Sequence, residues 1–172
     1  MTGGHVFFVG LGTNLGDKVK NIQTAINALM AWPDASLCQV SSLYQSDPVG
    51  FVKQPSFINA VVKMTSHLPP ENILKFLKHV ESQLGRDMHG VRFGPRIIDL
   101  DLLAYQSIHF RSRTLVLPHP RASQRLFVLM PWVEIAPNYC LPGQLSIARL
   151  LVSAKQVLGP ACSCYRWNQL SC

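Results

Sequence analysis

The alternation of apolar and polar positions divides the chain into a strand, a helix, two strands, a helix and a strand before a more helical C-terminal third. Residues 6–12 are apolar or glycine and read as a buried strand. Asn14 or Asp17 then offers an N-cap for a helix in which Val19, Ile22, Ile26 and Leu29 recur at helical spacing, with a stop near Trp32-Pro33. Residues 36–46 form a less regular second strand ending in the turn-prone Asp47-Pro48-Val49-Gly50. From 57 to 65 the period is two: Ile58, Ala60, Val62 and Met64 share one side, and Phe57, Asn59, Val61 and Lys63 the other. Pro69-Pro70-Glu71 opens a second helix, continued by Ile73, Leu77, Val80 and Leu84 and stopped by Gly85. The fourth strand, 97–105, places Ile98, Leu100, Leu102 and Ala104 on one face and Asp99 and Asp101 on the other. This order predicts an α+β split βαβ arrangement, an antiparallel sheet covered on one side by two helices. Further helices are expected near 121–131 and 145–155, with the last twenty residues a peripheral tail.

The 172 residues, 48% of them apolar, suit one domain over 1–172, with a core of about 5–155 and a tail over 156–172. The longest apolar stretches, 126–133 and 97–104, are far short of the roughly 20 residues a membrane helix needs. The first residues carry no basic region followed by a cleavable apolar segment, so the expectation is a cytoplasmic protein with no membrane partner. Five cysteines at irregular spacing argue against a disulfide framework. A net charge of +7 attracts polyanions without choosing among them. The position of the charge is more informative. Arg86, Arg92 and Arg96 crowd one segment, and Arg111, Arg113, Arg121 and Arg125 follow, near carboxylates, a combination that favours phosphate handling.

Strand geometry puts Asp99 and Asp101 on one face about 6.5–7 Å apart. Two carboxylates so close require a compensating cation, which could be a hard metal ion, Arg96, or both. The spacing suits magnesium, which takes one or two protein carboxylates and completes its octahedron with water and substrate phosphate. Gly94-Pro95-Arg96 rigidifies the approach to the strand. Residues 85–93 are too polar for a core and read as a loop able to close over a substrate. Pro118-His119-Pro120-Arg121 precedes a helix bearing Arg125 and Phe127, again a place that favours anions. The glycines at 10, 12 and 16 miss the dinucleotide fingerprint by one residue, and no Gly-Lys-Ser/Thr phosphate loop occurs. Any ATP site must therefore be built from arginines and metal.

The string Arg92-Phe93-Gly94-Pro95-Arg96-Ile97-Ile98-Asp99-Leu100-Asp101, with Gly12-Thr13-Asn14-Leu15-Gly16 before it and Pro118-His119-Pro120 after it, closely resembles the 6-hydroxymethyl-7,8-dihydropterin pyrophosphokinases over about residues 5–155. The resemblance implies a ferredoxin-like fold and transfer of the terminal diphosphate of ATP to the pterin hydroxymethyl group in folate biosynthesis. It implies two Mg2+ ions on Asp99 and Asp101, with Arg86 and Arg96 as catalytic arginines on the triphosphate. Lys78, Glu81, Arg92, Phe93, Leu102, His119 and Arg125 match ATP-binding positions, and Pro48, Val49, Phe57, Asn59 and Phe127 match pterin-binding positions. Dihydroneopterin aldolase and dihydropteroate synthase are the implied functional neighbours. Phe93 stands where some members have Trp, Phe57 and Pro120 where some have Tyr, and Lys78 where some have Gln. Two rival readings are a ferredoxin-like RNA-binding module and a metal-dependent nucleotide hydrolase. Against the first, and against a nucleic-acid partner, no Lys/Arg-Gly-Phe/Tyr stacking string of the RNA-binding kind is present.

Overall fold

In the computed structural model, residues 4–48, 53–86, 94–158 and 164–167 are described. Strand β1 (His5–Thr13) lies between β4 (Phe57–Ser66) and β5 (Asp99–Tyr105), antiparallel to both. On its other edge β4 pairs with β2 (Ala35–Val40) and then β3 (Tyr44–Ser46). The irregular second strand is thus two strands. Between them, the Ser41 hydroxyl accepts the Val61 N–H at 2.9 Å, a side chain substituting for the ladder.

Helix α1 (Lys18–Met30) is capped by Asp17, whose carboxylate accepts the Lys20 N–H at 3.0 Å. Helix α2 (Pro70–Gln83) begins at the prolines and ends at Gly85, as the spacing predicts. With φ +83°, Gly85 reverses the chain so that Gly85 N–H meets the Ser82 carbonyl and Arg86 N–H the Glu81 carbonyl, both at 3.1 Å. Both helices pack on one sheet face, where Phe7, Val9 and Leu11 of β1 meet Ile22, Leu29, Ile73 and Leu77. Trp32 stacks on Phe76 with ring centroids 3.9 Å apart.

The other face is covered as well, contrary to the one-sided sheet expected from the pattern. Helices α3 (Leu126–Ile135) and α4 (Ile147–Leu158) bury Phe8, Val61 and Leu103 against Leu129, Trp132 and Ile147. Burial of a side chain of this size contributes roughly 1.5–3 kcal/mol, so the C-terminal third is a second core layer. A 3-10 turn at Ala122–Gln124 and an extended Arg125 (φ −118°, ψ 112°) delay α3 beyond the expected start at 121. A small hairpin, β6 (Phe110–Arg111) and β7 (Val116–Leu117), precedes it.

The structure departs from the sequence pattern at two further points. Ala104 does not share a face with Leu100 and Leu102. The β1–β5 register slips between Phe8 and Val9, so Leu103 and Ala104 both turn to the α3 side. The tail is not wholly peripheral: β8 (Cys164–Arg166) pairs with β3, making a six-stranded sheet, and Arg166 and Tyr44 both bond Glu134 of α3. Among the described residues no helix is long and apolar enough to cross a membrane.

Candidate active site

A cleft of about 610 Å³ opens on the α3 side of the sheet, over the ends of β1, β4 and β5. Its floor follows from register. Asn59, Gly12 and Asp99 lie side by side across β4, β1 and β5, and Val61, Gly10 and Asp101 form the next row. The central strand contributes no side chain in either row, so the flanking side chains border an open trough. A Cβ at Gly12 would lie 3.3 Å from Asn59 Oδ1, and one at Gly10 would lie 3.3 Å from Leu103 Cδ2. These glycines were absent from the expected site. Their signal in the sequence is glycine at alternate positions of a strand, which marks close approach by a ligand or another backbone.

Asp99 is gripped from both sides. Its Oδ2 accepts from Arg96 Nη1 at 2.5 Å, and its Oδ1 from Arg86 Nη1. Burial alone would raise its carboxyl, but Arg96, Arg86 and Lys78 outweigh burial and hold it below its usual value. Among the described residues no ion pair closes on Asp101. Arg96 is itself fixed. Its Nε donates to the Gly94 carbonyl at 3.2 Å, its guanidinium lies 5.9 Å from the Phe57 ring centroid, and its N–H reaches Asn14 Oδ1 at 2.8 Å. Asn14 also donates to Gln54 Oε1 (3.0 Å) and the Pro55 carbonyl (3.1 Å), tying both rims of the cleft together. No local spacing reveals these bonds, because the partners are 40 and 82 residues away.

The far wall carries His119, Arg121, Arg125 and Phe127. His119 N–H bonds the Leu103 carbonyl at 2.8 Å, and its Nδ1 accepts the Arg121 N–H at 3.2 Å, so the neutral ring bears its proton on Nε2. Burial lowers the pKa of His119; Arg125 and Arg121 push the same way and Asp101 opposes them. Arg125 stands 5.4 Å from the Phe127 ring centroid. Burial, then Arg121, lowers its pKa against the pull of Asp101.

Of the expected residues, Phe57, Asn59, Lys78, Arg86, Arg96, Asp99, Asp101, His119, Arg125 and Phe127 converge on this cleft. Glu81 and Leu102 do not line it: Glu81 is fully buried behind the wall, and the Leu102 side chain packs in the α1–α2 core. Pro48 is half-buried and outside the lining, next to Asp47, which is in it. Val49, Arg92 and Phe93 lie outside the described residues.

The donors suit a hard divalent cation. Two carboxylates face the trough, and the described residues contain no group of three or more His, Cys, Asp or Glu that could enclose a metal. A cation held here must draw its remaining ligands from water or an anionic substrate, the usual habit of magnesium. Lys78, Arg86, Arg96, Arg121 and Arg125 make the cleft suitable for a highly charged anion.

The model of the family described as 7,8-dihydro-6-hydroxymethylpterin-pyrophosphokinase (HPPK) matches residues 8–137. A 2-amino-4-hydroxy-6-hydroxymethyldihydropteridine pyrophosphokinase of Bacillus subtilis is 37% identical over 131 residues, covering 76% of this chain and 78% of its own length. A protein of the same name from Methylorubrum extorquens is 38% identical over 137 residues, covering 80% and 86%. A crystal structure of a Plasmodium falciparum HPPK-DHPS triple mutant superposes with a TM-score of 0.73 at 14% identity, a likeness of fold alone. That alignment covers 92% of this chain and only 43% of the Plasmodium one.

Proposed function

The chain belongs to the 7,8-dihydro-6-hydroxymethylpterin-pyrophosphokinase family, ATP-dependent diphosphotransferases of folate synthesis, and from that premise we propose how its cleft carries out the transfer. The substrates are ATP and 6-hydroxymethyl-7,8-dihydropterin, and the products are AMP and the pterin diphosphate. Phe57 and Phe127 take the pterin ring between them. Asn59, oriented by its bonds to Ser46 Oγ (2.9 Å) and the Tyr44 carbonyl (3.3 Å), reads the ring edge. Pro48 and Val49 belong to the same side. Arg86 and Arg96 exchange Asp99 for the phosphate oxygens of ATP, and Lys78, Arg125 and the Nε2–H of His119 complete the anion's partners.

Asp99 and Asp101 would hold magnesium, two ions by the family resemblance, whose charge would offset that developing on the phosphates and the attacking oxygen. The pterin hydroxyl attacks the β-phosphorus in line. A bond forms from that oxygen to phosphorus, the bond to the bridging oxygen of the α-phosphate breaks, and AMP leaves with the bonding pair. The hydroxyl proton passes to solvent, with Asp101 or Asp99 easing its departure. Positioning and charge stabilisation suffice, so no covalent enzyme intermediate is invoked.

The strand order β5-β1-β4 followed by β2 and β3, with α1 and α2 on one face, supports a ferredoxin-like reading of the sheet, and we take residues 1–172 as one domain. We place the protein in the cytoplasm, beside dihydroneopterin aldolase and dihydropteroate synthase as functional neighbours. The observation that carries the functional reading is the row of Asn59, Gly12 and Asp99, which puts pterin-side and phosphate-side residues on one open floor. Incubating ATP with and without the hydroxymethylpterin tests it. AMP formed only with the pterin is the expected result. ADP, or AMP formed without the pterin, would make the protein a hydrolase, and no turnover would make it a binding module.

A further inference from the structure

Glu81 is fully buried in the last turn of α2, and its two oxygens are used very unequally. Oε1 accepts from Lys78 Nζ at 2.8 Å, Arg86 Nη1 at 2.5 Å and the Leu100 N–H at 2.6 Å. Oε2 is buried without a partner among the described residues. Burial pushes the Glu81 carboxyl up, and Lys78, the Leu100 N–H and Arg86 oppose it. A buried carboxylate with one oxygen unsatisfied is a poor device for stability, since apolar side chains fill such a space as well or better. Its directional use is clear, however. It ties the end of α2 to the peptide between Asp99 and Asp101, and it holds two cations that reach the cleft.

We infer that Glu81 is a positioning residue that acts through Arg86, serving as the fixed anchor of its guanidinium. This deepens the proposed function and rests on it. Arg86 bridges two carboxylates, Glu81 within the wall and Asp99 in the cleft. Asp99 is the partner that an incoming polyphosphate and its cation displace, whereas Glu81 is out of their reach. The turn at Gly85 holds the Arg86 backbone on Glu81 too, through its N–H to the Glu81 carbonyl. Both bonds are made by Nη1, so when Asp99 is displaced the Glu81 bond keeps that nitrogen in place, and the guanidinium meets the phosphates with little freedom to lose.

A double-mutant cycle with Glu81→Gln and Arg86→Ala in the full chain tests this, reading kcat, KM for ATP and thermal midpoint. Glu81→Gln keeps the shape and should leave the midpoint within a few degrees. Its kcat should fall about tenfold, less than the roughly 10²-fold that a 1 Å misplacement of a reacting group costs. The double variant should lie within about twofold of Arg86→Ala alone, because the two residues act as one unit. Multiplying effects would mean that Glu81 works independently of Arg86, and would overturn the inference while leaving the proposed transfer intact. An unchanged kcat for Arg86→Ala would overturn it as well, by removing Arg86 from the reaction. Absence of pterin-dependent AMP from the unaltered protein would instead remove the proposed function on which it rests.

Discussion

Replacing Gly12 by Ala tests whether the empty floor of the cleft is functional. The new Cβ would sit 3.3 Å from Asn59 Oδ1, closer than ordinary contact by a few tenths of an ångström. Asn59 is only 4% exposed, and its amide is held by Ser46 Oγ and the Tyr44 carbonyl, so it yields only by weakening one of those bonds. One neutral hydrogen bond is worth about 0.5–1.5 kcal/mol, which corresponds to about a two- to twelvefold rise in KM for the pterin. KM for ATP and kcat should change less than about twofold, because the phosphate-side residues keep their partners. Gly10→Ala is the internal control, since its Cβ meets the buried Leu103 side chain and overpacking of this kind costs about 1–3 kcal/mol of stability. Steady-state kinetics with each substrate varied, together with thermal melts, separate the two. Gly12→Ala with an unaltered pterin KM, or with both KM values raised equally, would show that the open floor beside Asn59 does not serve the pterin.

Asp101→Ala should lower pterin-dependent AMP formation by about 10²-fold or more, the scale of losing a main electrostatic contact in a transition state; near-normal AMP release would count against the scheme. Gly85→Ala forces a side chain into φ +83°, where L-residues lose about 1–2 kcal/mol. Its denaturation midpoint should drop accordingly, and kcat should drop with it as Arg86 loses its seat. His119 has its pKa lowered by burial, so the folded state binds its proton more weakly than the unfolded chain does. Stability should decline as pH falls below the ordinary histidine value of about 6.5, and His119→Asn should flatten that part of the melting profile; identical profiles would contradict the assignment.

The sequence conveys much of this architecture because its signals there are local. Period-two alternation in β4 set Ile58, Ala60, Val62 and Met64 on the core side and left Phe57 and Asn59 for the cleft, and Asp99 and Asp101 follow from the same rule. Local patterning fails where tertiary contacts decide. The register slip in β5 moved Ala104 across the sheet, and Ser41 broke the second strand by inserting its hydroxyl into the ladder. β8 docks because Arg166, Tyr44 and Ser42 converge on Glu134 from distant parts of the chain, which no spacing announces. Within the site, the charged residues were legible by type and neighbourhood. Asn14 was not, since it works through partners remote in sequence, and the burial of Glu81 depends on how α2 packs against β5.

Everything proposed for the cleft depends on Asp99 and Asp101 directing a divalent cation and a polyphosphate to its β5 side. A crystal structure with magnesium, a non-hydrolysable ATP analogue and the hydroxymethylpterin measures this directly. The expected result is magnesium bonded to both carboxylates, phosphate oxygens on Arg86 and Arg96 in place of Asp99, and the pterin hydroxyl facing the β-phosphorus. Cations and nucleotide bound elsewhere, with Asp99 still clasped by both arginines, would contradict it.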